Sequence, residues 1–304
     1  MGHDHGRGSG VQHRTRLVVV LGLSLTVLVV EGVAAWITGS LALLADAGHV
    51  LGDAFGVAMA LAAISVAQVG GRPGSRRSFG YHRTEILAAA LNGLILLALS
   101  VWVAVNAFQR FGDTPKVDGG LMVAAGTIGL VINTIGILLL RAGAKESLNI
   151  RGAYLEVVGD ALGSAAVIAA AILITTRGWL IADPIASLVI AAMIVPRAIS
   201  LLRDVAEVLL ESTPKGVDLA ELRSHLTAMD GVQDVHDLHV WTITSGMPVM
   251  SAHVVVEDSV AHMGQAEVVL ERLRCCLADH FDVEHSTFQI EPAGHLDKEQ
   301  HLHH

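Results

Sequence analysis

The chain has 304 residues, of which 52% are hydrophobic and 16% are charged, and its net charge at pH 7 is −9. A mean hydropathy of +0.56 excludes an ordinary soluble protein, and it also excludes a chain that lies wholly in lipid. Residues 204–304 carry 18 acidic and five basic side chains, which suits divalent cations and not nucleic acid. We therefore expect a membrane half followed by an acidic, water-soluble half.

The two ends of the chain are polar and contain histidine. The first, residues 1–16, offers no small-residue cleavage site before the first apolar segment, so we expect no cleaved signal peptide. We predict that residues 1–16 and 293–304 are disordered, His-containing tails.

Six apolar segments are long enough to cross a bilayer, which takes about 20 residues. They cover, with soft boundaries, residues 17–37, 41–69, 84–110, 118–141, 152–175 and 181–203. Residues 70–83 contain four arginines and residues 141–151 three basic residues, so the positive-inside bias places both termini in the cytoplasm. These patterns predict a membrane domain over 17–207, in the cell membrane.

Two local signals occur in the sixth apolar segment. Asp183 is followed by Pro184, the arrangement of an N-cap before a proline at the first helical position. Pro196 lies further along the segment, where proline is expected to kink a helix.

The second and fifth segments each carry a pair of metal-competent side chains four residues apart. His49 and Asp53 form one pair, and Glu156 and Asp160 form the other. A helix places each pair on one face, so the four side chains can converge between two helices. Each pair alone could simply hydrogen-bond within itself, but two pairs at the same spacing predict a divalent-cation site, because unpaired acids are rare in membranes.

Other polar residues of the apolar segments predict packing. Glu31 and Asp46 are placed near helix ends, where an interfacial or helix-packing role is expected. Three asparagines are expected to hold helices together by hydrogen bonds. These are Asn92, Asn106 and Asn133.

Residues 208–292 have the sequence pattern of a soluble α+β domain. Their order is helix, strand, strand, helix, strand, which predicts a ferredoxin-like fold. His236 and His253 belong to the two strands joined by the turn SGM, and His285 shares a face with Glu291 on the last strand. We expect His239 to lie on the opposite face of the strand from His236. The sequence leaves open whether His285 or the preceding Glu284 faces the metal, because a shift of one residue in strand register exchanges the two faces.

Four stretches occur here in the order typical of a known family. They read TGSLALLADAGHVLGD, FGYHRTEILAAALNG, LNIRGAYLEVVGDALGS and VHDLHVWTITSGMPVMSAHV. With them the chain resembles the cation diffusion facilitator family from about residue 17 to 292, and it is most similar to the zinc, cobalt and cadmium efflux members.

This resemblance implies a homodimer of six-span protomers that exchange Zn²⁺, or another divalent metal such as Co²⁺ or Cd²⁺, for protons across the bilayer, with no further cofactor. It maps the transport site onto the second and fifth spans, and a cytoplasmic metal site onto the soluble domain. The implied transport ligands are His49, Asp53, Glu156 and Asp160. The implied cytoplasmic ligands are His236, His253, His285 and Glu291. Zinc-type members usually have His where this chain has Glu156, which implies a broader metal range.

Three alternatives are left open by the residues. An intramembrane metalloenzyme would need a motif such as HExxH, which the sequence lacks, so we expect no enzyme. A membrane-anchored metal sensor would explain the histidines of the soluble domain but would give the four intramembrane ligands no function. A carrier of the same family could prefer Mn²⁺ or Fe²⁺. The sequence has no GxxxxGK[ST] loop, which favours ion-coupled over ATP-driven export.

Overall fold

The computed structural model describes residues 5–69, 77–145, 148–257, 263–281, 283 and 285–292. Long helices come first, and a small mixed α/β region follows. The helices of the first part are α1 (His5–Thr38), α2 (Leu41–Val69), α3 (Thr84–Arg110), α4 (Gly119–Leu140), α5 (Leu148–Arg177) and α6 (Ala182–Leu209). The later elements are α7 (Leu219–Thr227), β1 (Val232–Thr242), β2 (Pro248–Val256), α8 (Met263–Phe281) and β3 (His285–Pro292).

Within the described residues, six helices are long and apolar enough to cross a membrane, as the sequence predicts. The span in α2 has the lowest mean hydropathy, 1.3, against 2.2–2.5 for the others. It is the span that carries His49 and Asp53, and such residues are tolerated in lipid only where they face the helix bundle or a cavity. At its end, α6 continues to Leu209, six residues beyond the predicted limit.

The chain divides into two compact units. The first contains Met1–Ala62 and Ala88–Leu202, and the second contains Ala63–Leu87 and Arg203–His304. The domain boundary near residue 207 stays a prediction.

In the first unit, α4 packs lengthwise against α5 and α1. Glycines permit the close approach, because a Cβ on Gly126 would lie 3.0 Å from the Ile168 side chain, and one on Gly136 would lie 3.0 Å from Val157. Asn133 of α4 lies close enough to donate to Ser164 of α5, at 3.5 Å. Asn106 instead donates to the carbonyl of Trp102 in its own helix, so the expected interhelical role is wrong there.

Asp183 caps a different helix from the one predicted. It lies inside the first turn of α6, and its carboxylate accepts hydrogen bonds from the Ser40 hydroxyl (2.5 Å) and from the backbone N–H of Leu41 (2.9 Å) and Ala42 (3.1 Å). These groups form the beginning of α2, whose N-terminus favours a negative charge. Arg110 approaches the same carboxylate at 3.1 Å and balances its charge.

The second unit contains a three-stranded sheet with the order β1-β2-β3. Strands β1 and β2 are antiparallel, and β2 and β3 are parallel, with α8 as the crossover that a parallel pair requires. The core between sheet and helices includes Leu222, Val235, Met250, Leu273 and Leu277. This is the helix-strand-strand-helix-strand order that the sequence predicts.

Candidate metal centres

The first candidate centre, here called the membrane cluster, consists of His49, Asp53 and Asp160. One turn of α2 carries the first two, and α5 supplies the third. His49 Nε2 lies 3.6 Å from Asp53 Oδ2 and 3.6 Å from Asp160 Oδ1. His49 is 8% exposed and Asp160 is 4% exposed, so the donor atoms are withdrawn from solvent and lipid.

These separations fit a tetrahedral ion. Bonds of about 2.0–2.2 Å place neighbouring ligand atoms roughly 3.3–3.6 Å apart. In addition, His49 Nδ1 and Asp160 Oδ1 are buried without a hydrogen-bond partner in the described part of the chain. Buried polar atoms of this kind need a partner, and a cation supplies one for the carboxylate.

Glu156, the fourth expected ligand, lies one turn before Asp160 but bonds to an arginine. Arg197 of α6 donates to Glu156 Oε1 at 2.8 Å and to Asp53 Oδ2 at 3.1 Å. The guanidinium offsets the additional negative charge that Glu156 introduces. The sequence reasoning missed Arg197, although a basic residue next to Pro196 in an apolar segment is an available signal.

Two cavities reach the residues of this centre. One, of about 290 Å³, is lined by Asp53, Glu156 and Asp160 together with apolar residues of α1. The other, of about 200 Å³, is lined by His49, Glu156 and Arg197 together with Asp46 and residues of α6. Glu156 lines both cavities.

The second candidate centre, the sheet cluster, consists of His236, His253 and Glu291, one residue from each strand. His236 pairs directly with His253 across β1 and β2. Glu291 Oε2 lies 3.2 Å from His236 Nε2, and Glu291 Oε1 lies 2.9 Å from His253 Nδ1. Gln289 donates to the same Oε1 at 2.7 Å. Glu291 is only 2% exposed, so these contacts hold its carboxylate in place and satisfy its buried oxygens.

The structure does not bring His285 to this cluster within one chain. His285 pairs with Val249 at the start of β3 and is exposed, six residues from Glu291. A strand advances about 3.3 Å per residue, so roughly 20 Å of strand separates the two. Its role as a ligand stays a prediction.

A bulge moves His239 to the face where it was not expected. His236 pairs with His253 while His239 pairs with Ser251, so one additional residue is accommodated between them. Asp237 has φ +49° at this point, and it lies 3.0 Å from His239 Nε2 and 3.9 Å from His253 Nε2. The bulge thereby adds a carboxylate beside the sheet cluster.

Of the two roles expected for Glu31 and Asp46, the interfacial one is wrong and the helix-packing one fits their buried positions. Glu31 is 0% exposed and Asp46 is 2% exposed, and both side chains lie in the interior of the first unit. Ser164 of α5 is close to both, at 3.4 Å from Glu31 Oε1 and 3.5 Å from Asp46 Oδ2. Helical spacing relates Asp46 to His49 at i, i+3, which is the signal that could have placed it inside.

Comparison with known proteins gives consistent matches along nearly the whole chain. A model of the cation efflux transmembrane domain matches residues 17–210, and a model of the cytoplasmic domain of cation efflux proteins matches residues 214–293.

Individual proteins match as well. The metal cation efflux system protein CzcD of Cupriavidus metallidurans is 40% identical over 99% of this chain and 94% of its own length. The cadmium, cobalt and zinc/H⁺-K⁺ antiporter of Bacillus subtilis is 36% identical over 97% of this chain and 93% of its own. The solved metal-bound C-terminal domain of CzcD is 43% identical, covering 25% of this chain and 99% of that domain, with a TM-score of 0.23.

Proposed function

This chain belongs to the cation efflux family and is a multi-pass membrane transporter of divalent metal cations, and we propose that it exchanges Zn²⁺, Co²⁺ or Cd²⁺ for protons at the membrane cluster. The observation that carries this proposal is the position of His49 Nε2, 3.6 Å from two carboxylates of different helices. The ligand set combines imidazole nitrogen and carboxylate oxygen and lacks thiolate, which suits borderline ions such as Zn²⁺.

Exchange follows from the chemistry of these ligands. Carboxylate and imidazole must be deprotonated to bind a metal, so metal binding releases protons and proton binding releases metal. If the centre opens alternately to its two cavities, the same residues load metal on one side and lose it to protons on the other. The relative from Bacillus subtilis is named as a metal/H⁺-K⁺ antiporter, which agrees with this cycle.

Glu156 is proposed as the fourth ligand, in competition with Arg197. When Glu156 and Asp53 bond to the guanidinium, their charges are partly satisfied, and an arriving metal must displace at least one of these bonds. Arg197 is 43% exposed along its side chain, so it can move away into the adjoining cavity. The residue therefore stabilises the acids between transport events and lowers the affinity for metal.

Residues 208–292 are proposed as a cytoplasmic metal-binding dimerisation domain that follows the membrane domain near residue 207, with both termini in the cytoplasm. A match to the cytoplasmic domain of cation efflux proteins over residues 214–293 supports this assignment. The acidic charge of residues 204–304 repels a second copy, and metal bound at the sheet cluster screens part of that repulsion. Metal binding should therefore bring the two copies closer.

Flux measurements on purified protein in liposomes test this function. We expect Zn²⁺, Co²⁺ and Cd²⁺ each to enter protein-containing vesicles and to compete with one another, with Mn²⁺ and Fe²⁺ as weaker competitors. Metal binding by the protein without any flux would identify a sensor instead. Preferred flux of Mn²⁺ or Fe²⁺ over Zn²⁺ would establish the other carrier type.

A further inference from the structure

Glu31 of α1 and Asp46 of α2 form a carboxyl pair inside the membrane-spanning unit, here called the acid pair. Glu31 is 0% exposed and Asp46 is 2% exposed, and the hydroxyl of Ser164 lies 3.4 Å from Glu31 Oε1 and 3.5 Å from Asp46 Oδ2. Glu31 Oε2 is buried without a hydrogen-bond partner in the described part of the chain. Two carboxylates enclosed together cannot both carry a charge without a counter-ion.

The surroundings are shaped to hold this pair. A Cβ on Gly129 of α4 would lie 2.4 Å from Glu31 Oε1, and a Cβ on Gly163 of α5 would lie 2.4 Å from Asp46 Oδ1. Any larger residue at either position would displace a carboxyl group. The helices thus leave room for two acids at a depth where polar groups are costly.

The described part of the chain supplies no positive partner for the acid pair. Ser164 offers one hydroxyl proton, which can be donated to only one of the two acids at a time. Asn133 is neutral and points its amide nitrogen at Ser164. On α5, Asp160 lies one helical turn before Ser164, on the same face of the helix, and it carries the same sign as the pair.

We propose that the acid pair holds one exchangeable proton, and that this proton is counter-transported from a place separate from the metal ligands. The inference rests on the proposed antiport. A metal ion is a poorer occupant, because hard divalent cations take six or more oxygen ligands, and this position offers four polar side chains, of which one is an amide and one a hydroxyl.

Electrostatics couples the pair to the metal. While Asp160 is ionised, its negative charge favours a proton on the acid pair. A divalent cation bound to Asp160 reverses that field, so the proton leaves the carboxyl oxygen, which keeps the electron pair. Asp46 lines the cavity shared with His49 and Glu156, which gives the departing proton a route to water.

The test compares Glu31→Gln and Asp46→Asn with wild type and with Glu207→Gln, which neutralises an exposed acid in the same way. Exchange of external for internal Zn²⁺, with equal Zn²⁺ concentrations on both sides of the vesicle membrane and no pH gradient, measures the function of the metal site alone. Proton movement per Zn²⁺ under a pH gradient measures the coupling. We expect both acid-pair variants to keep Zn²⁺ exchange but to move about one proton fewer per Zn²⁺, and Glu207→Gln to match wild type.

A wild-type proton-to-Zn²⁺ ratio in both variants would overturn the inference, as would loss of Zn²⁺ binding by folded variants. Absence of Zn²⁺ exchange in wild type would instead reject the proposed function. Infrared difference spectra give a second measurement. Addition of Zn²⁺ should remove the C=O band of protonated carboxylic acids in wild type, and Glu31→Gln should lose less of this band because only the metal ligands then release protons. An equal band loss in wild type and Glu31→Gln would contradict the proton on the pair.

Discussion

The membrane cluster and the sheet cluster use similar side chains but are assembled in different ways. In the membrane, one turn of helix places His49 beside Asp53, and helix packing needs only to add Asp160. In the soluble unit, each of three strands contributes one residue, and the pairing register aligns them. A short-range pattern therefore encodes most of the first centre, whereas the second exists only after the sheet has formed.

The two centres also differ in how firmly their acids are held. Asp53 bonds to the part-exposed Arg197, whereas the buried Glu291 bonds to two histidines and Gln289. An ion that must be released in each cycle needs exchangeable ligands, and an ion that stabilises an assembly needs fixed ones. We therefore expect substitutions in the membrane cluster to stop transport. Substitutions in the sheet cluster should instead change how transport is regulated by metal.

The largest effect is expected from removing an acid of the membrane cluster. Asp53→Ala and Asp160→Ala should each lower Zn²⁺ flux by more than about a hundredfold, because even residues behind metal ligands contribute ~10–100-fold to affinity. Liposome flux measures the effect, and size-exclusion chromatography verifies folding. Asp113→Ala, an exposed acid outside the cluster, is the matched control. Flux near wild type in either cluster variant would reject the site.

A smaller effect is expected where Glu156 meets Arg197. Glu156→His alone leaves the guanidinium without its 2.8 Å partner and adds no negative charge, so Zn²⁺ affinity should fall by about tenfold. Adding Arg197→Met should restore affinity and narrow the range towards Zn²⁺, since imidazole prefers softer ions than carboxylate does. Competition among Zn²⁺, Co²⁺, Cd²⁺, Mn²⁺ and Fe²⁺ measures both changes. An unchanged metal ranking in the double variant would mean that Glu156 does not face the metal.

The smallest effect on flux is expected from the sheet cluster. Glu291→Ala or His253→Ala should raise by about tenfold the Zn²⁺ concentration that brings the two soluble units together, while flux at saturating Zn²⁺ changes by less than about twofold. A fluorescence distance probe on the full-length dimer reports the approach. His239→Ala, which alters a neighbour of Asp237 outside the cluster, is the control. An equal loss of Zn²⁺ flux in the sheet-cluster and membrane-cluster variants would show that the two centres do not have different roles.

The sequence predicts the helices well because their signal is local. Six apolar segments and the order of the soluble elements are confirmed. Predictions that depended on distant contacts were less reliable: Asp183 caps α2 and not its own helix, and Glu31 and Asp46 are enclosed by α4 and α5. The bulge at Asp237 reversed the face of His239, because one additional residue shifts every later side chain.

The most direct test of metal–proton exchange at the membrane cluster records Zn²⁺ and proton movement together in the same vesicles. With a pH gradient imposed, wild type should accumulate Zn²⁺ while protons move in the opposite direction, and both movements should stop when the gradient is collapsed or when Asp160 is replaced by alanine. Zn²⁺ accumulation that requires ATP, ignores the gradient or persists in Asp160→Ala would contradict exchange at this centre.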